Sequence, residues 1–132
     1  MYTYHKDGTQ AAADEIFVFG SNLAGRHGAG AAKAALQHYG ARYGEGTGAQ
    51  GRSYAIPTKD ENIQTLPIEE IKPYIDEFIK TASHLFNTQK YFVTRIGCGL
   101  AGYTDEQIAP LFRDAPYSCM SFPEEWKPYL ED

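Results

Sequence analysis

Residues 17–32 read Phe17-Val18-Phe19-Gly20-Ser21-Asn22-Leu23-Ala24-Gly25-Arg26-His27-Gly28-Ala29-Gly30-Ala31-Ala32. An apolar run ends at Gly20, a glycine-rich loop follows, and an alanine-rich helix begins inside the loop. Ile16 to Phe19 is short and continuously apolar, the pattern of a strand buried on both faces. Five alanines between Ala29 and Ala35, then Leu36 and Tyr39, predict a helix over residues 27–39, with Gly40 as its stop. Strand, glycine loop and helix start together aim free backbone N–H groups at an anion. A tight βα turn that needs glycine for geometry alone has the same pattern. Ser21, Asn22, Arg26 and His27 favour the ligand reading, because all four are polar and stand in the loop.

Two nucleotide fingerprints nearly fit and fail. Gly28-Ala29-Gly30-Ala31-Ala32 opens a Gly-x-Gly-x-x-Gly, but Lys33 stands where the last glycine belongs. A Gly-Lys-Ser/Thr phosphate loop is also missing, because Lys33 lies between Ala32 and Ala34.

Outward from this stretch, residues 1–13 are polar and frame an edge strand or a loose arm. Residues 40–52 carry more glycine: nine of the thirteen glycines fall between Gly20 and Gly51, which suggests a shared cleft. Ser53 to Pro57 reads as a strand stopped by its proline. Apolar positions from Ile68 to Phe86 form a helical stripe. Pro73 divides it into a first turn at 67–72 and a main helix from Pro73 to Phe86. Tyr91 to Ile96 is the strongest strand signal, and it runs into Gly97-Cys98-Gly99-Leu100-Ala101-Gly102-Tyr103. Thr104 then caps a helix, with Gln107 completing a capping box. Tyr117 to Phe122 reads as a last strand and Pro123 to Leu130 as a closing helix.

Strands alternating with helices imply a three-layer α/β/α sandwich around a central mixed, mostly parallel sheet. In such a sheet, loops at the carboxyl ends of strands meet over one crevice. The loops after Phe19 and Ile96 are the expected pair. The length of 132 residues fits a single domain over 1–132. An apolar content of 42% excludes a disordered chain, and a net charge of −5 speaks against a non-specific nucleic-acid binder. Two cysteines, Cys98 and Cys119, make neither a disulfide framework nor a zinc spacing, and His5, His38 and His84 show no metal-ligand spacing. No metal or cofactor is expected. The start of the sequence lacks an apolar signal core and no run reaches membrane-spanning length, so a soluble, cytoplasmic protein without a membrane partner is expected.

The loop pair resembles the macrodomain family, whose fold binds ADP-ribose. In that family a strand ends in Asn-Ala-Ala-Asn and a glycine run opens a helix; Phe19-Gly20-Ser21-Asn22 and Gly25-Arg26-His27-Gly28-Ala29-Gly30 stand in those places. A later strand leads into a Gly-x-Gly-x-x-Gly-aromatic loop, matched by Gly97 to Tyr103, and Tyr54-Ala55-Ile56-Pro57 looks like the central strand. The resemblance covers residues 14–112. No counterpart of the family's Gly-Asp-Ile segment precedes Asp14. The resemblance implies a small-molecule ligand, ADP-ribose or a related nucleotide, held by Gly20, Ser21, Asn22, Arg26, Gly28, Ala29, Gly30, Gly97, Cys98, Gly99, Leu100, Ala101, Gly102 and Tyr103. It also implies hydrolysis of an ADP-ribose derivative at the distal ribose, with Asn22 holding a ribose hydroxyl or orienting water.

The residues themselves allow more than one role. Gly97, Gly99, Leu100, Ala101 and Gly102 on one side, and Gly28 and Gly30 on the other, offer N–H donors to a diphosphate. His27 is the nearest acid or base; it is otherwise a helix-start histidine facing water. Tyr103 stacks on a ribose or anchors the core. Arg26, Arg52 and Arg95 are candidate phosphate partners, and Arg95 equally suits a structural ion pair. Cys98 between two glycines has the placement of a nucleophile, or of a small buried residue. A hydrolase, a non-catalytic nucleotide-binding module and a regulatory protein with another ligand all fit.

Overall fold

The computed structural model describes residues 2–85 and 88–131. Strand β1 (Thr3–His5) leads through an arm to β2 (Glu15–Asn22) and helix α1 (Gly30–His38). Strands β3 (Gly48–Gln50) and β4 (Ser53–Lys59) follow, then α2 (Ile68–His84) and β5 (Lys90–Val93). Helix α3 (Asp105–Ile108) runs into a 3-10 turn at Ala109–Phe112. Strand β6 (Met120–Pro123) and α4 (Lys127–Leu130) close the described chain.

The six strands form one mixed sheet in the order β1-β6-β5-β2-β4-β3. All pairings are parallel except β3 with β4. Alternation along the strands builds two cores. Phe17, Phe19, Ala55 and Phe92 face α1, where Ala32 and Ala35 are small enough to let the helix lie close. Val18, Tyr54, Ile56, Tyr91 and Val93 face the other way, against Ile71, Ile75, Phe78 and Ala82 of α2 and Ile108 and Phe112 beyond it.

Helix α2 is continuous through Pro73, which corrects the expected division at that residue. Pro73 lies on the exposed face, so the carbonyl that lost its N–H partner can be hydrated. The expected end of that helix, Phe86, lies outside the described residues. Strand β5 ends three residues before Ile96, because the chain turns: Thr94 N–H still reaches the Val18 carbonyl at 3.0 Å, but Ile96 N–H bonds back to Thr94 at 2.7 Å. Residues 117–119 are a 3-10 turn ahead of β6.

Strand β2 lies between β4 and β5, and all three point the same way. The chain leaves β2 through α1 toward β4, and leaves β5 through α3 toward β6 on the opposite side. The carboxyl ends of β2 and β5 are therefore a topological switch point, where loops diverge and a crevice opens.

Candidate functional site

A cleft of about 940 Å³ lies at that switch point. Both glycine-rich loops line it, as do β4's Thr58 and Lys59 and the arm after β1 from Asp7 to Ala13. Of the sequence-predicted residues, Gly20, Ser21, Asn22, Arg26, Ala29, Gly30, Gly97, Cys98, Gly99, Leu100 and Ala101 line the cleft; His27, Gly28, Gly102 and Tyr103 do not.

The first loop presents the start of α1. Ala29 caps the helix without any side-chain hydrogen bond, and the first turn holds no acid. The N–H groups of Gly30, Ala31 and Ala32 have no acceptor among the described residues, and all three residues lie on the cleft wall. In the second loop, the N–H groups of Gly99, Leu100 and Ala101 are likewise without an acceptor among the described residues. A Cβ on Gly99 would meet nothing within 4 Å, so this backbone borders open space. Gly102 N–H is spent on the Gly99 carbonyl at 3.0 Å, and Cys98 N–H on Arg95 at 3.1 Å, which removes Gly102 from the expected donors. At the base of the cleft the loops nearly touch: a Cβ on Gly20 would lie 3.7 Å from Gly97 N.

The charge around the cleft opposes that of the chain. Arg26, Arg52, Lys59 and Arg95 line it, and Asp7 is its single carboxylate among the described residues, in a chain of net charge −5. Arg95 forks onto Asp105, with contacts of 3.0 and 2.6 Å, and Trp126 Nε1 donates to the same carboxylate at 2.8 Å. Burial works against charge on Asp105, yet the hydrogen bonds from Arg95 and Trp126 outweigh it and hold the carboxyl below its ordinary range. Of its two alternatives, Arg95 thus takes the structural ion pair, with its third nitrogen 3.8 Å from Asp7 on the arm.

The candidates for chemistry are committed elsewhere. Asn22 Oδ1 accepts the Arg26 N–H and its Nδ2 donates to the Arg26 carbonyl, both at 3.0 Å. The amide thereby braces the turn of the first loop. His27 is fully buried, edge-on to Phe19, and its Nε2 donates to the Glu45 carbonyl at 3.0 Å. It faces neither water nor the cleft. Burial, followed by the charge of Asp105, pushes the Cys98 thiol up to about 12, the wrong direction for a nucleophile. Tyr103 donates to the Leu66 carbonyl at 2.6 Å and packs on the main core, so it is an anchor rather than a stacking ring.

Residues 40–51 do not line the cleft, which corrects the expectation of a shared one. Their glycines serve backbone-to-backbone packing. A Cβ on Gly25 would come 2.3 Å from the Gly44 carbonyl carbon, and one on Gly46 would come 2.1 Å from the Asn22 carbonyl oxygen. Ser21 Oγ donates to the Gly46 carbonyl. This segment therefore clamps the first loop from behind. The arm wall was not legible in the sequence, since residues 7–13 carry no motif; Ala11 N–H to Tyr39 Oη at 3.1 Å and Arg52 to the Ala12 carbonyl at 3.4 Å hold it, together with the Arg95–Asp7 contact.

No helix among the described residues is long and apolar enough to cross a membrane. No protein-family model, curated protein or solved structure matches the chain.

Proposed function

We propose that the cleft binds a nucleotide diphosphate of the ADP-ribose kind, on a three-layer α/β/α scaffold of macrodomain-like type. The observation that carries this reading is the pair of N–H sets, Gly30 to Ala32 and Gly99 to Ala101, on two loops of one cleft. Backbone donors without side-chain bulk suit phosphate oxygens, and a helix start adds a favourable dipole. Arg26, Arg52 and Lys59, which line the cleft outside the Arg95–Asp105 ion pair, favour an anion further. Binding is favoured over turnover, because the Asn22 amide is spent on the Arg26 backbone, His27 is buried off the cleft, and burial raises the Cys98 thiol. Hydrolysis of an ADP-ribose derivative would depend on water activated by the substrate.

Thermal unfolding with ADP-ribose, pyrophosphate and AMP tests the reading. A ligand that binds only the folded state adds about 2.7 kcal/mol at a hundredfold excess over Kd, a rise of several degrees for a domain of this size. ADP-ribose is expected to give the largest shift. Gly99→Glu, which keeps an ordinary φ and enters open space, should remove that shift while leaving circular dichroism unchanged. The absence of a shift with any diphosphate at millimolar concentration refutes the reading. Equal shifts with pyrophosphate and ADP-ribose would keep the anion cradle and remove the nucleoside. Release of phosphate or ester from an ADP-ribose derivative would restore turnover.

A further inference from the structure

Ile63 has φ +62° and is the one non-glycine residue at positive φ among the described residues. A β-branched side chain is strained there, because its Cβ crowds the neighbouring carbonyl. Asp60 holds it in place. Its Oδ1 accepts the N–H groups of Asn62 at 2.8 Å and Gln64 at 3.0 Å, and its own N–H donates to the Gln64 carbonyl at 2.8 Å. Core packing does not explain the residue, since Ile63 is 38% exposed and belongs to neither buried cluster. It lines the cleft instead.

Leu100 is the other large exposed aliphatic side chain on the cleft, 75% exposed at the tip of the second glycine loop. Two hydrogen bonds couple the segments that carry the pair: Thr65 Oγ1 to the Ala101 carbonyl at 3.0 Å and Tyr103 Oη to the Leu66 carbonyl at 2.6 Å. Strain concentrated at a cleft residue with no packing role is the pattern of a ligand contact held ready.

We infer that Ile63 and Leu100 form an apolar grip on a ring of the ligand, a ribose or base whose phosphate is held by the glycine loops. The inference rests on the diphosphate reading above. A sugar or base has apolar faces and polar edges, which two aliphatic side chains on a cleft that also carries Arg26, Arg52 and Lys59 can match. The cations Arg26, Arg52 and Lys59 on the same cleft favour a ring that bears a phosphate over an uncharged acyl chain. Ile63 therefore sets specificity for a phosphate bearing a ring over a bare phosphate.

Titration calorimetry on the parent protein, Ile63→Asn and Leu100→Ser, with ADP-ribose and with pyrophosphate, tests this. Asparagine tolerates the left-handed region, so Ile63→Asn should melt no lower than the parent. Its affinity for ADP-ribose should fall roughly tenfold, the loss expected on removing about one aliphatic contact, and its affinity for pyrophosphate should be unchanged. Leu100→Ser should show the same split and decides the matter if Ile63→Asn does not fold. Unchanged ADP-ribose affinity, or an equal loss for pyrophosphate, overturns the grip alone. A parent protein that binds neither compound overturns the diphosphate reading and the grip with it.

Discussion

Both halves of the Asn22 amide are used inside the chain, on the N–H and carbonyl of Arg26. The residue is 8% exposed and ends β2 where the β2–β4 register shifts, so the turn after it depends on this brace. Asn22→Ala removes two hydrogen bonds, each worth about 1 kcal/mol, and should lower the melting midpoint by roughly 5 °C or more. Asn22→Asp keeps the acceptor for the Arg26 N–H but sets a carboxylate oxygen against the Arg26 carbonyl, so it should not rescue the midpoint. An unchanged midpoint with abolished ligand binding would return the amide to the ligand. At this scale the sequence is informative about chemistry and silent about commitment. A strand-end asparagine beside glycines was visible; that its amide closes on Arg26 was not, because the hydrogen bonds depend on a loop conformation. His27 shows the same gap. Its burial is produced by residues 40–51 folding back over the first loop, a tertiary contact that local pattern does not contain.

Helix α2 shows how an element survives a residue that should divide it. Its apolar positions Ile71, Ile75, Phe78 and Ala82 are all buried, and the burial of this stripe outweighs the missing hydrogen bond at Pro73. Glu69 and Glu70 in the first turn complement the helix dipole. Pro73→Ala should restore a donor to the Glu69 carbonyl. A proline in a helix interior costs about 3 kcal/mol, offset by about 1 kcal/mol through the stiffer unfolded chain. The variant should therefore melt several degrees higher, measured by circular dichroism, and a lower midpoint would show that the ring makes a contact worth more than the bond. The elements that were legible are those specified locally. Strands β2, β4 and β5 have apolar runs, and the Thr104–Gln107 capping box forms as its spacing predicts. Strand β3 was not legible, because Gly48-Ala49-Gln50 has no strand preference and pairs only because β4 offers an open edge.

At the scale of the molecule, the switch point between β2 and β5 follows from element order, which is why the two glycine loops could be expected on one cleft. The arm from β1 could not be placed from sequence, yet it supplies a cleft wall and its anchor governs how the protein should respond to acid. His5 ends β1, opposite Pro123 of β6. Its ring stacks on Phe92 at 3.7 Å and 16°, and its Nδ1 pairs with Ser121 Oγ at 2.7 Å. Burial lowers its pKa from 6.5 to about 4, against the opposing pull of the Val93 backbone, Asp7 and Glu125. The folded state thus binds fewer protons than the unfolded chain between those values. Stability from this residue is complete above pH 6.5, declines as pH falls toward 4, and changes no further below that. Asp105, held below the ordinary carboxylate range by Arg95 and Trp126 against the cost of burial, adds a further loss at lower pH. Urea midpoints at pH 7.5 and pH 4.5 should therefore differ, with the lower one at acid pH. His5→Phe preserves a ring over Phe92 and removes the titrating group, so its two midpoints should lie closer together than those of the parent. An equal spacing in parent and variant would mean that another group carries the acid sensitivity, and that β1 stays docked when His5 is charged.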